Sequence, residues 1–471
     1  MRKIGIIGVG FTGTMTAVHL INKASWPFEI ILINERQSLN RGIAYNPYSN
    51  KHLLNVPAGK MSAYVDKPDH FLDWALQQNA IEEKDRNLVA NSFLPRKLYG
   101  DYLCEIWEEA KKSAASKNIT LTTINSFVVD LDVLENSVSL LLHNSMELQL
   151  DECVIATGNQ IPRNPKIPNM DFYNSENYFQ NPWKIESVKN ITKKLPVLII
   201  GNGLTMVDTV FGLLEEDFKG EIYSISTNGF NILPHRGNGL KYSRLVDELK
   251  EDLSLFELLK LVNKHIKLVR KNGLSAEAVI DSLRPHTQKI WKSLSEKEKQ
   301  LFMHKLRHLW GVARHRIPMH SHDKIQQLRI NGRLHINSGK IINFEENEDF
   351  IAVEYFDKKE RITKSLHVSR IINCTGPETD LMNLEKNFLK NCLLKRILRQ
   401  DNLKLGIIAN TETFQIINSE RNPHTNLFTL GSNLKGELWE STAVNELRAQ
   451  AEMLAEKITN ESSIKKTIHS N

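Results

Sequence analysis

Short apolar runs alternate with helix-compatible stretches at the start of the chain. Residues 3–7 are mostly apolar and short enough for a buried strand, residues 14–21 are compatible with a helix, and residues 29–34 form a second apolar run. A strand, a helix and a second strand in this order are typical of parallel sheets. The pattern therefore predicts a β-α-β unit at the N-terminus.

A glycine-rich turn joins the first predicted strand to the helix. Gly8, Gly10 and Gly13 are spaced as G-x-G-x-x-G, with Phe11 and Thr12 between the last two. In this motif the first glycine permits the tight turn, the second lets a diphosphate approach the backbone, and the third lets helix and strand pack closely. The free amides of the helix N-terminus favour an anion. We therefore predict that these five residues bind a dinucleotide.

Glu35 supports the same interpretation. It closes the second strand about 20 residues beyond the last glycine, where this fold places the acid that binds a ribose hydroxyl. A secretory signal peptide also combines basic residues with an apolar run, but it needs neither the glycine spacing nor the downstream acid. We therefore predict that Glu35 binds the ribose.

A second strand, glycine turn and helix are predicted near the middle of the chain. Residues 195–200 form an apolar run, Gly201 and Gly203 follow it, and Thr205 lies at the start of a helix-compatible stretch. Met206 occupies the third glycine position and loosens the pattern, but two strand-turn-helix units in one chain support each other. We predict a second dinucleotide site on Gly201, Gly203 and Thr205.

The sequence leaves the cofactor of the second site open. The strand at residues 221–226 leads to Thr227 and Asn228, without the acid that an NAD ribose prefers and without a pair of arginines for the 2′-phosphate of NADP. Arg236 is the nearest basic candidate beyond this strand. Both NADH and NADPH are therefore candidates for the cofactor of the second site.

Two further strands end in a Thr-Gly pair. Residues 153–156 lead into Thr157 and Gly158, and residues 370–374 lead into Thr375-Gly376. Small residues leave room for the edge of a cofactor, so we predict that Thr157 and Gly158 contact one.

The C-terminal part of the chain continues the α/β pattern. A short strand at residues 426–430 ends at Gly431, and Thr442 and Ala443 precede a last helix. Earlier, residues 119–150 hold short β-branched and alternating runs that predict a strand and a small meander. Residues 240–325 instead have apolar residues at helical spacing, which predicts a helical insertion.

Composition narrows the possible classes. The net charge is +6 in 471 residues, with both signs interspersed, which suits small anionic ligands and gives no reason to expect nucleic acid. No apolar run approaches the roughly 18 to 20 residues of a membrane span. The four cysteines form no C-x-x-C pair, which favours a reducing, cytoplasmic compartment and disfavours zinc and dithiol centres. The oligomeric state stays open.

Arginine and histidine residues cluster between residues 307 and 322. They could ligate a metal, but the carboxylate and cysteine partners of a zinc centre are missing from the cluster. We interpret it as a basic helix face and predict no metal site.

Two glycine turns, each followed by a strand that ends in Thr-Gly, resemble the flavoproteins with two dinucleotide-binding domains. More narrowly, Arg41-Gly42-Ile43-Ala44-Tyr45, Leu53-Leu54-Asn55-Val56-Pro57-Ala58 and Pro95-Arg96 with Tyr99-Gly100 and Tyr102 are similar to FAD/NAD(P)-binding proteins related to N-hydroxylating flavin monooxygenases. The resemblance covers nearly the whole chain.

The resemblance implies an α/β fold with two Rossmann-like dinucleotide-binding domains, the first completed by the C-terminal segment, plus a helical insertion. The first glycine turn and Glu35 would hold FAD, and the second turn a nicotinamide cofactor. Residues 1–160 would begin the FAD domain, residues 190–370 would form the NAD(P) domain, and residues 371–459 would return to the first domain. Residues 460–471 are expected to be a disordered tail.

The chemistry implied by the resemblance is that of the cofactor. Hydride would pass from NAD(P)H to the flavin, and the helix that opens near Thr442 and Ala443 would stabilise the reduced ring. A monooxygenase would then form a flavin C4a-(hydro)peroxide and hydroxylate a small amine or other small nucleophile. Asn55, in the loop at residues 55–61, is the candidate beside the ring.

Two other functions stay open at this point. One is an NAD(P)H-driven flavin reductase or electron-transfer protein without oxygen insertion, and the other is a non-enzymatic FAD-binding scaffold. The substrate cannot be derived from the sequence, because a few loop side chains would recognise it.

Overall fold

The computed structural model describes residues 1–34, 39–191, 195–236, 241–385 and 387–469, with residues 461–469 as main chain only. The chain divides into two compact units. The first unit comprises Met1–Pro47, Val56–Gln160 and Glu378–Asn471, and the second comprises Tyr48–Asn55 and Ile161–Pro377.

The strands of the described residues are β1 (Lys3–Ile7), β2 (Glu29–Asn34), β3 (Thr120–Asn125), β4 (Val128–Val133), β5 (Val138–Leu142), β6 (Glu147–Leu150), β7 (Glu152–Ile155), β8 (Tyr178–Phe179), β9 (Val197–Ile200), β10 (Ile222–Ser226), β11 (Leu334–Glu346), β12 (Ile351–Asp357), β13 (Ile362–Val368), β14 (Arg370–Asn373), β15 (Gln415–Ile417) and β16 (Pro423–Thr429). The α-helices are α1 (Phe11–Lys23), α2 (His70–Gln77), α3 (Arg86–Asn91), α4 (Arg96–Ser116), α5 (Leu204–Glu215), α6 (Arg244–Asp247), α7 (Leu255–Lys271), α8 (Glu277–Ser282), α9 (Thr287–Ser293), α10 (Glu296–Leu301), α11 (Arg307–Arg314), α12 (Met319–Ile330), α13 (Phe388–Leu394), α14 (Lys435–Leu438) and α15 (Val444–His469).

The first unit is built on a six-stranded sheet with the order β15-β16-β7-β1-β2-β3. β1 pairs in parallel with β2 on one side and with β7 on the other, and every residue of β1 after Lys3 is buried. A strand that is covered on both faces has a continuous apolar sequence, which is what the first residues show. The predicted β-α-β unit is confirmed, and β4, β5 and β6 form a separate antiparallel meander.

The C-terminal segment completes the first sheet, as predicted. β16 pairs in parallel with β7 through Leu427–Thr429, and β15 adds an antiparallel edge strand. The predicted start of this segment at residue 371 is wrong, because β14 pairs with β9 of the other sheet. The return to the first unit begins at Glu378.

The second unit is built on a seven-stranded sheet with the order β13-β12-β11-β10-β9-β14-β8. β9 lies between β10 and β14, and both are parallel to it. β11 is 13 residues long and has two partners, since its first part pairs in parallel with β10 and its second part pairs antiparallel with β12. β11 thereby carries the β12–β13 hairpin to the carboxyl end of β10.

Helices α6–α12 occupy the stretch between β10 and β11, where the sequence predicts a helical insertion. Two of them begin with a capping box, Ser254 with Glu257 at α7 and Ser295 with Glu298 at α10. In a capping box, side chains satisfy the amides that have no partner within the helix. Side chains of the protein itself therefore satisfy backbone amides at the N-termini of α7 and α10.

The longest helix is α15, which ends at His469. It extends through most of the segment at residues 460–471 that the sequence predicts to be disordered. Residues 461–469 contain neither Gly nor Pro, so no residue there ends the helix. Within the described residues, no helix has both the length and the apolar character required to cross a bilayer.

Candidate functional site

Gly8 shapes the first glycine turn, at the carboxyl end of β1. Its φ is 91°, a left-handed conformation that L side chains rarely adopt. A Cβ atom on Gly8 would lie 2.5 Å from the carbonyl oxygen of Ala156, while the Gly8 amide donates to the carbonyl of Ile33 at 2.9 Å. Because the turn is enclosed by backbone from both neighbouring strands, only glycine fits there.

Gly10 and Gly13 are required for different reasons. A Cβ atom on Gly13 would lie 2.0 Å from the carbonyl oxygen of Gly8, so this glycine allows α1 to pack against the turn. At Gly10 the nearest atom to such a Cβ would be the Cα of Gly42, at 3.5 Å, which is an ordinary contact. No described residue therefore requires glycine at position 10. Binding of a diphosphate in the space beside it stays a prediction.

The N-terminus of α1 is open to an anion. Gly10 is the N-cap residue, and among the described residues no side chain caps this end and no acid stands in its first turn. The early amides, which include those of Phe11 and Thr12, have no partner within the helix. Together with the helix dipole they favour a phosphate. The 13-residue helix therefore fits the diphosphate of a dinucleotide.

The C-terminal segment of the first unit reaches this turn. Gly431 has a φ of 75°, and a Cβ atom there would lie 3.4 Å from Oγ1 of Thr12. Asn433 donates from its side-chain nitrogen to the hydroxyls of Thr157 and Thr429, at 3.4 and 3.1 Å. The structure thus brings Thr12, Thr157 and Gly431 into one region. Asn433 and Thr429 are residues that the sequence analysis missed.

A buried hydrogen-bond network fixes the start of α15. The Gly431 amide donates to Oε1 of Gln450 at 2.8 Å, and the Ser441 hydroxyl donates to the Gly431 carbonyl at 2.7 Å. The amides of Glu446 and Leu447 both donate to the carbonyl of Ala443. The helix begins at Val444, directly after the predicted Thr442 and Ala443. A contact between that helix end and a flavin stays a prediction.

An aromatic cluster packs on Phe11. The ring of Tyr45 lies 6.4 Å and that of Tyr99 6.3 Å from the ring of Phe11, measured between centroids. Gly100 permits this packing, since a Cβ atom there would lie 2.3 Å from the carbonyl oxygen of Tyr45. The hydroxyl of Tyr99 is fully buried and has no hydrogen-bond partner among the described residues. The segments around residues 41–45 and 95–102, which are distant in sequence, thus meet at the first turn.

The contacts of two predicted residues of the flavin site stay predictions. Glu35 lies outside the described residues, so its contact with the ribose stays a prediction. Asn55 belongs to the second unit, where its carbonyl lies 3.0 Å from Nε2 of His235. Its proposed place beside the flavin ring therefore also stays a prediction.

The second glycine turn repeats the backbone of the first. Gly201 has a φ of 104°, a Cβ atom on it would lie 2.5 Å from the carbonyl oxygen of Cys374, and its amide donates to Ile225 at 2.8 Å. At Gly203, the N-cap of α5, no atom of the other described residues outside its own turn lies within 4 Å of an added Cβ. Among the described residues no side chain caps α5 and no acid stands in its first turn. This turn also fits a diphosphate.

Thr205 and Met206 follow Gly203 in the first turn of α5. The carbonyl of Thr205 accepts the Thr209 hydroxyl at 2.9 Å, just as the carbonyl of Thr12 accepts the Thr16 hydroxyl in α1. Met206 is buried in the apolar core of the second unit. The loss of the third glycine is therefore accommodated by packing, and the turn keeps its conformation.

The ion cluster around Glu277 corrects the sequence interpretation of Arg316. The Arg236 amide donates to Glu277 at 2.9 Å, and Arg316, only 3% exposed, pairs with Glu277 and Asp281. Burial alone would raise the pKa of Glu277, but hydrogen bonds from His235 and the Arg236 amide and the charge of Arg316 hold it at about 2. Arg316 is thus a buried structural residue and not part of an exposed basic face. The Arg236 backbone is held by the helical stretch.

Three of the four cysteine thiols are poorly suited to redox exchange. All four are unpaired, and Cys153, Cys374 and Cys392 are buried. Burial raises the pKa of Cys374 and of Cys392 to about 12 and raises that of Cys153 further above its usual value. A reactive thiol instead needs a lowered pKa and access to its partner.

Comparison with known proteins gives a sequence match in the first part of the chain and fold matches over nearly all of it. A family model described as FAD-NAD(P)-binding matches residues 5–160. No curated protein matches the chain in sequence. Among solved structures, the chain is similar to the ornithine N-hydroxylase of Kutzneria sp. 744 (12% identity, 98% of this chain and 99% of that one, TM-score 0.65).

Two further structures share the fold. They are the L-lysine 6-monooxygenase of Pseudomonas syringae (14% identity, 98% of this chain and 99% of that one, TM-score 0.65) and the thioredoxin reductase of T. acidophilum (9% identity, 98% and 99%, TM-score 0.51). Identities this low establish the fold alone. Residues 5–160 thus match an FAD-NAD(P)-binding family model, in a chain that shares the two-sheet fold of these solved structures.

Proposed function

We propose that this protein is an FAD-dependent oxidoreductase that takes electrons from NAD(P)H and uses oxygen to hydroxylate a small amine. The observation that carries the proposal is the duplicated glycine turn. Gly10 and Gly203 both leave open space, and both head a helix without a side-chain cap among the described residues. A chain with two such glycine turns can bind two dinucleotides, one that donates electrons and one that accepts them.

The first turn is assigned to FAD. FAD, when bound, supplies hydride acceptance and oxygen chemistry. The amides at the start of α1 would hold its diphosphate, with Thr12, Thr157 and Gly431 in the same region. The positive end of the helix that begins after Ala443 would stabilise negative charge on the reduced ring. No nucleophile or metal ligand is required of the protein for this chemistry.

The second turn is assigned to NAD(P)H. Gly203 leaves the approach to the backbone open, and the amides of Leu204 and Thr205 begin α5. The pair Thr375-Gly376 stands beside Gly201 in the same way that Thr157-Gly158 stands beside Gly8. The small residues at both places give a flat cofactor access to the ends of the strands.

Disulfide reduction is disfavoured as an alternative. The thioredoxin reductase fold is shared, but a dithiol enzyme needs two neighbouring reactive cysteines. Here the cysteines are unpaired, three are buried, and burial raises the pKa of each of those three. An NAD(P)H-driven electron transfer without oxygen insertion is the remaining enzymatic alternative.

The substrate class is proposed from the named structural relatives. The ornithine N-hydroxylase and the L-lysine 6-monooxygenase are named for ornithine and lysine, which both carry a primary amine on a short carbon chain. We therefore propose a small primary amine, without choosing among them. The non-enzymatic scaffold is the outcome if neither nucleotide supports turnover.

One rapid-mixing experiment separates these functions. Protein loaded with FAD is reduced by NADPH without oxygen and then mixed with oxygenated buffer, with and without a panel of diamines and basic amino acids. We expect reduction of the flavin, a transient oxygen-dependent absorbance and a hydroxylamine product with one amine. Reduction without a transient and without product would establish the electron-transfer function instead.

Gly203→Val provides the matched control. Its flavin should be reduced by dithionite but not by NADPH. The valine side chain occupies the space beside the second glycine turn, while the first glycine turn is unchanged. Reduction of this variant by NADPH at the normal rate would contradict the assignment of the second turn.

A further inference from the structure

A lysine from the β12–β13 hairpin lies at the carboxyl end of β10. Ser226, the last residue of β10, pairs with Ser338, and the next residue of β11 pairs with Asp357 at the end of β12. Lys358 follows Asp357, and its amide donates to the Ser338 carbonyl at 2.9 Å. Its Nζ donates to the carbonyl of Thr227 at 2.8 Å.

This place has a defined meaning in a dinucleotide-binding unit. The diphosphate binds after the first strand, and the adenosine ribose is recognised by the residue that follows the second strand. In the second unit these strands are β9 and β10, so the ribose position is that of Thr227 and Asn228. We infer that Lys358 binds the 2′-phosphate of NADP(H) at this position and makes the protein prefer NADPH over NADH. The inference rests on the proposed function, since it assumes that a nicotinamide dinucleotide binds at Gly201 and Gly203.

The ammonium group of Lys358 is free to bind an anion. It has three N–H donors, and the contact with Thr227 uses one of them without neutralising the charge. The side chain is exposed. Thr227 and Asn228 carry no carboxylate, so neither of them repels a phosphate.

The nearest acids in the hairpin are occupied by another lysine. Lys364 pairs with Asp357 at 3.0 Å and with Glu360 at 2.6 Å. Asp357 also accepts the amides of Lys359 and Glu360 within the turn. Residues 357–364 contain four cations, Lys358, Lys359, Arg361 and Lys364, against two acids, which leaves an excess of two positive charges. A 2′-phosphate carries close to two negative charges and complements that excess.

Arg236, the candidate suggested by the sequence, has a different environment. Its amide is bonded to Glu277, in the ion cluster of the helical stretch. The amide of Lys358 is bonded instead to β11, beside the ribose position. The cation that the sequence lacks after β10 is thus supplied by a residue 131 positions further along the chain.

The test compares Lys358→Gln with Lys359→Gln. Both variants remove one positive charge from the same turn, but only Lys358 has its Nζ at Thr227. The dissociation constants of NADP⁺ and NAD⁺ are measured by calorimetry on FAD-loaded protein, so that no turnover is needed. We expect Lys358→Gln to weaken NADP⁺ about tenfold and to change NAD⁺ less than about twofold, because a charged hydrogen bond is lost from one ligand only. Lys359→Gln and Arg236→Ala should change both by less than about twofold, and Lys358→Arg should keep most of the preference.

The possible failures are distinguishable. If Lys358→Gln weakens NADP⁺ and NAD⁺ equally, or weakens neither, the role of Lys358 is refuted while the nicotinamide site stands. If Lys359→Gln has the same selective effect as Lys358→Gln, only the general charge of the hairpin acts, and the specific contact is also refuted. If the wild-type protein binds neither nucleotide, the proposed function fails first, and this inference with it.

Discussion

The two glycine turns have the same backbone but different third positions. Gly10 and Gly203 have φ and ψ of −81° and −161° and of −84° and −165°, and the glycines two residues earlier both have φ near 100°, at 91° and 104°. Gly13 of the first turn, however, corresponds to Met206 of the second. The conformation that exposes the helix amides thus depends on the first two glycines.

The third position sets how closely helix and turn pack. At Gly13 a Cβ atom would be 2.0 Å from the Gly8 carbonyl, whereas Met206 is 1% exposed among apolar neighbours. Glycine is therefore required at the third position of the first turn, whereas the second turn takes a larger, buried side chain there.

The largest expected effects on ligand binding come from placing a side chain at Gly10 or at Gly203. Gly10→Val should reduce FAD affinity at least about a hundredfold, because a side chain would occupy the volume that the diphosphate needs. Gly203→Val should keep FAD and lose NAD(P)H binding to a similar extent. FAD occupancy is measured by absorbance after purification, and nucleotide binding by calorimetry.

These variants carry an internal control for folding. Among the described residues, an added Cβ would contact Gly42 at 3.5 Å in Gly10→Val and no atom within 4 Å in Gly203→Val. The free energy of unfolding of the apoprotein should therefore change by less than about 1 kcal/mol. Full FAD occupancy in Gly10→Val would refute the assignment of the first turn.

Substitutions at the third motif position, Gly13 or Met206, should affect the two turns differently. Gly13→Ala forces the Gly8 carbonyl to move, so we expect a loss of about 1 to 3 kcal/mol in the free energy of unfolding together with at least about a tenfold loss of FAD affinity. Met206→Ala should destabilise the protein by about 2 to 5 kcal/mol through a cavity but leave NAD(P)⁺ affinity within about threefold. Urea unfolding and nucleotide titration measure the two effects. Equal loss of ligand binding in both variants would show that the third position acts alike in the two turns.

A pH-dependent effect on stability is expected in the helical stretch of the second unit. Glu277 has a folded pKa of about 2 against an ordinary 4.5, so its stabilising contribution is present above pH 4.5 and is lost as the pH falls toward 2. The side chain is only 18% exposed. Glu277→Gln should therefore cost about 1 to 3 kcal/mol at pH 7, and the difference from wild type should shrink between pH 4.5 and 2.

Urea titrations at pH 7 and at pH 3 measure that change, and FAD occupancy should not respond to it. Asp252→Asn removes an exposed acid from the same stretch and serves as the control. A cost for Glu277→Gln that is the same at both pH values would mean that the carboxylate charge is not what stabilises the cluster.

Much of this arrangement is local in sequence and could be predicted. Continuous apolar runs predict β1, β2 and β9, because strands buried on both faces have little polar sequence. Gly8, Gly10 and Gly13 stand next to one another in the motif, so their separate roles follow from spacing alone. The return of the C-terminal segment follows from the resemblance to two-domain flavoproteins.

The remaining contacts are long-range and leave no local signal. Gly431 meets Thr12, Asn433 meets Thr157, and Lys358 meets Thr227 only because the sheets bring their strand ends together. The boundary at residue 371 was wrong for the same reason, since one apolar strand gives no indication of which sheet it joins.

A crystal structure of the protein with FAD and NADP⁺ both bound would show directly which cofactor each turn holds. We expect the FAD diphosphate at the amides of Phe11 and Thr12, and the NADP⁺ diphosphate at Leu204 and Thr205, with the 2′-phosphate at Lys358. FAD at the second turn, or a first turn that stays empty while NADP⁺ is bound, would contradict the assignment of the two sites.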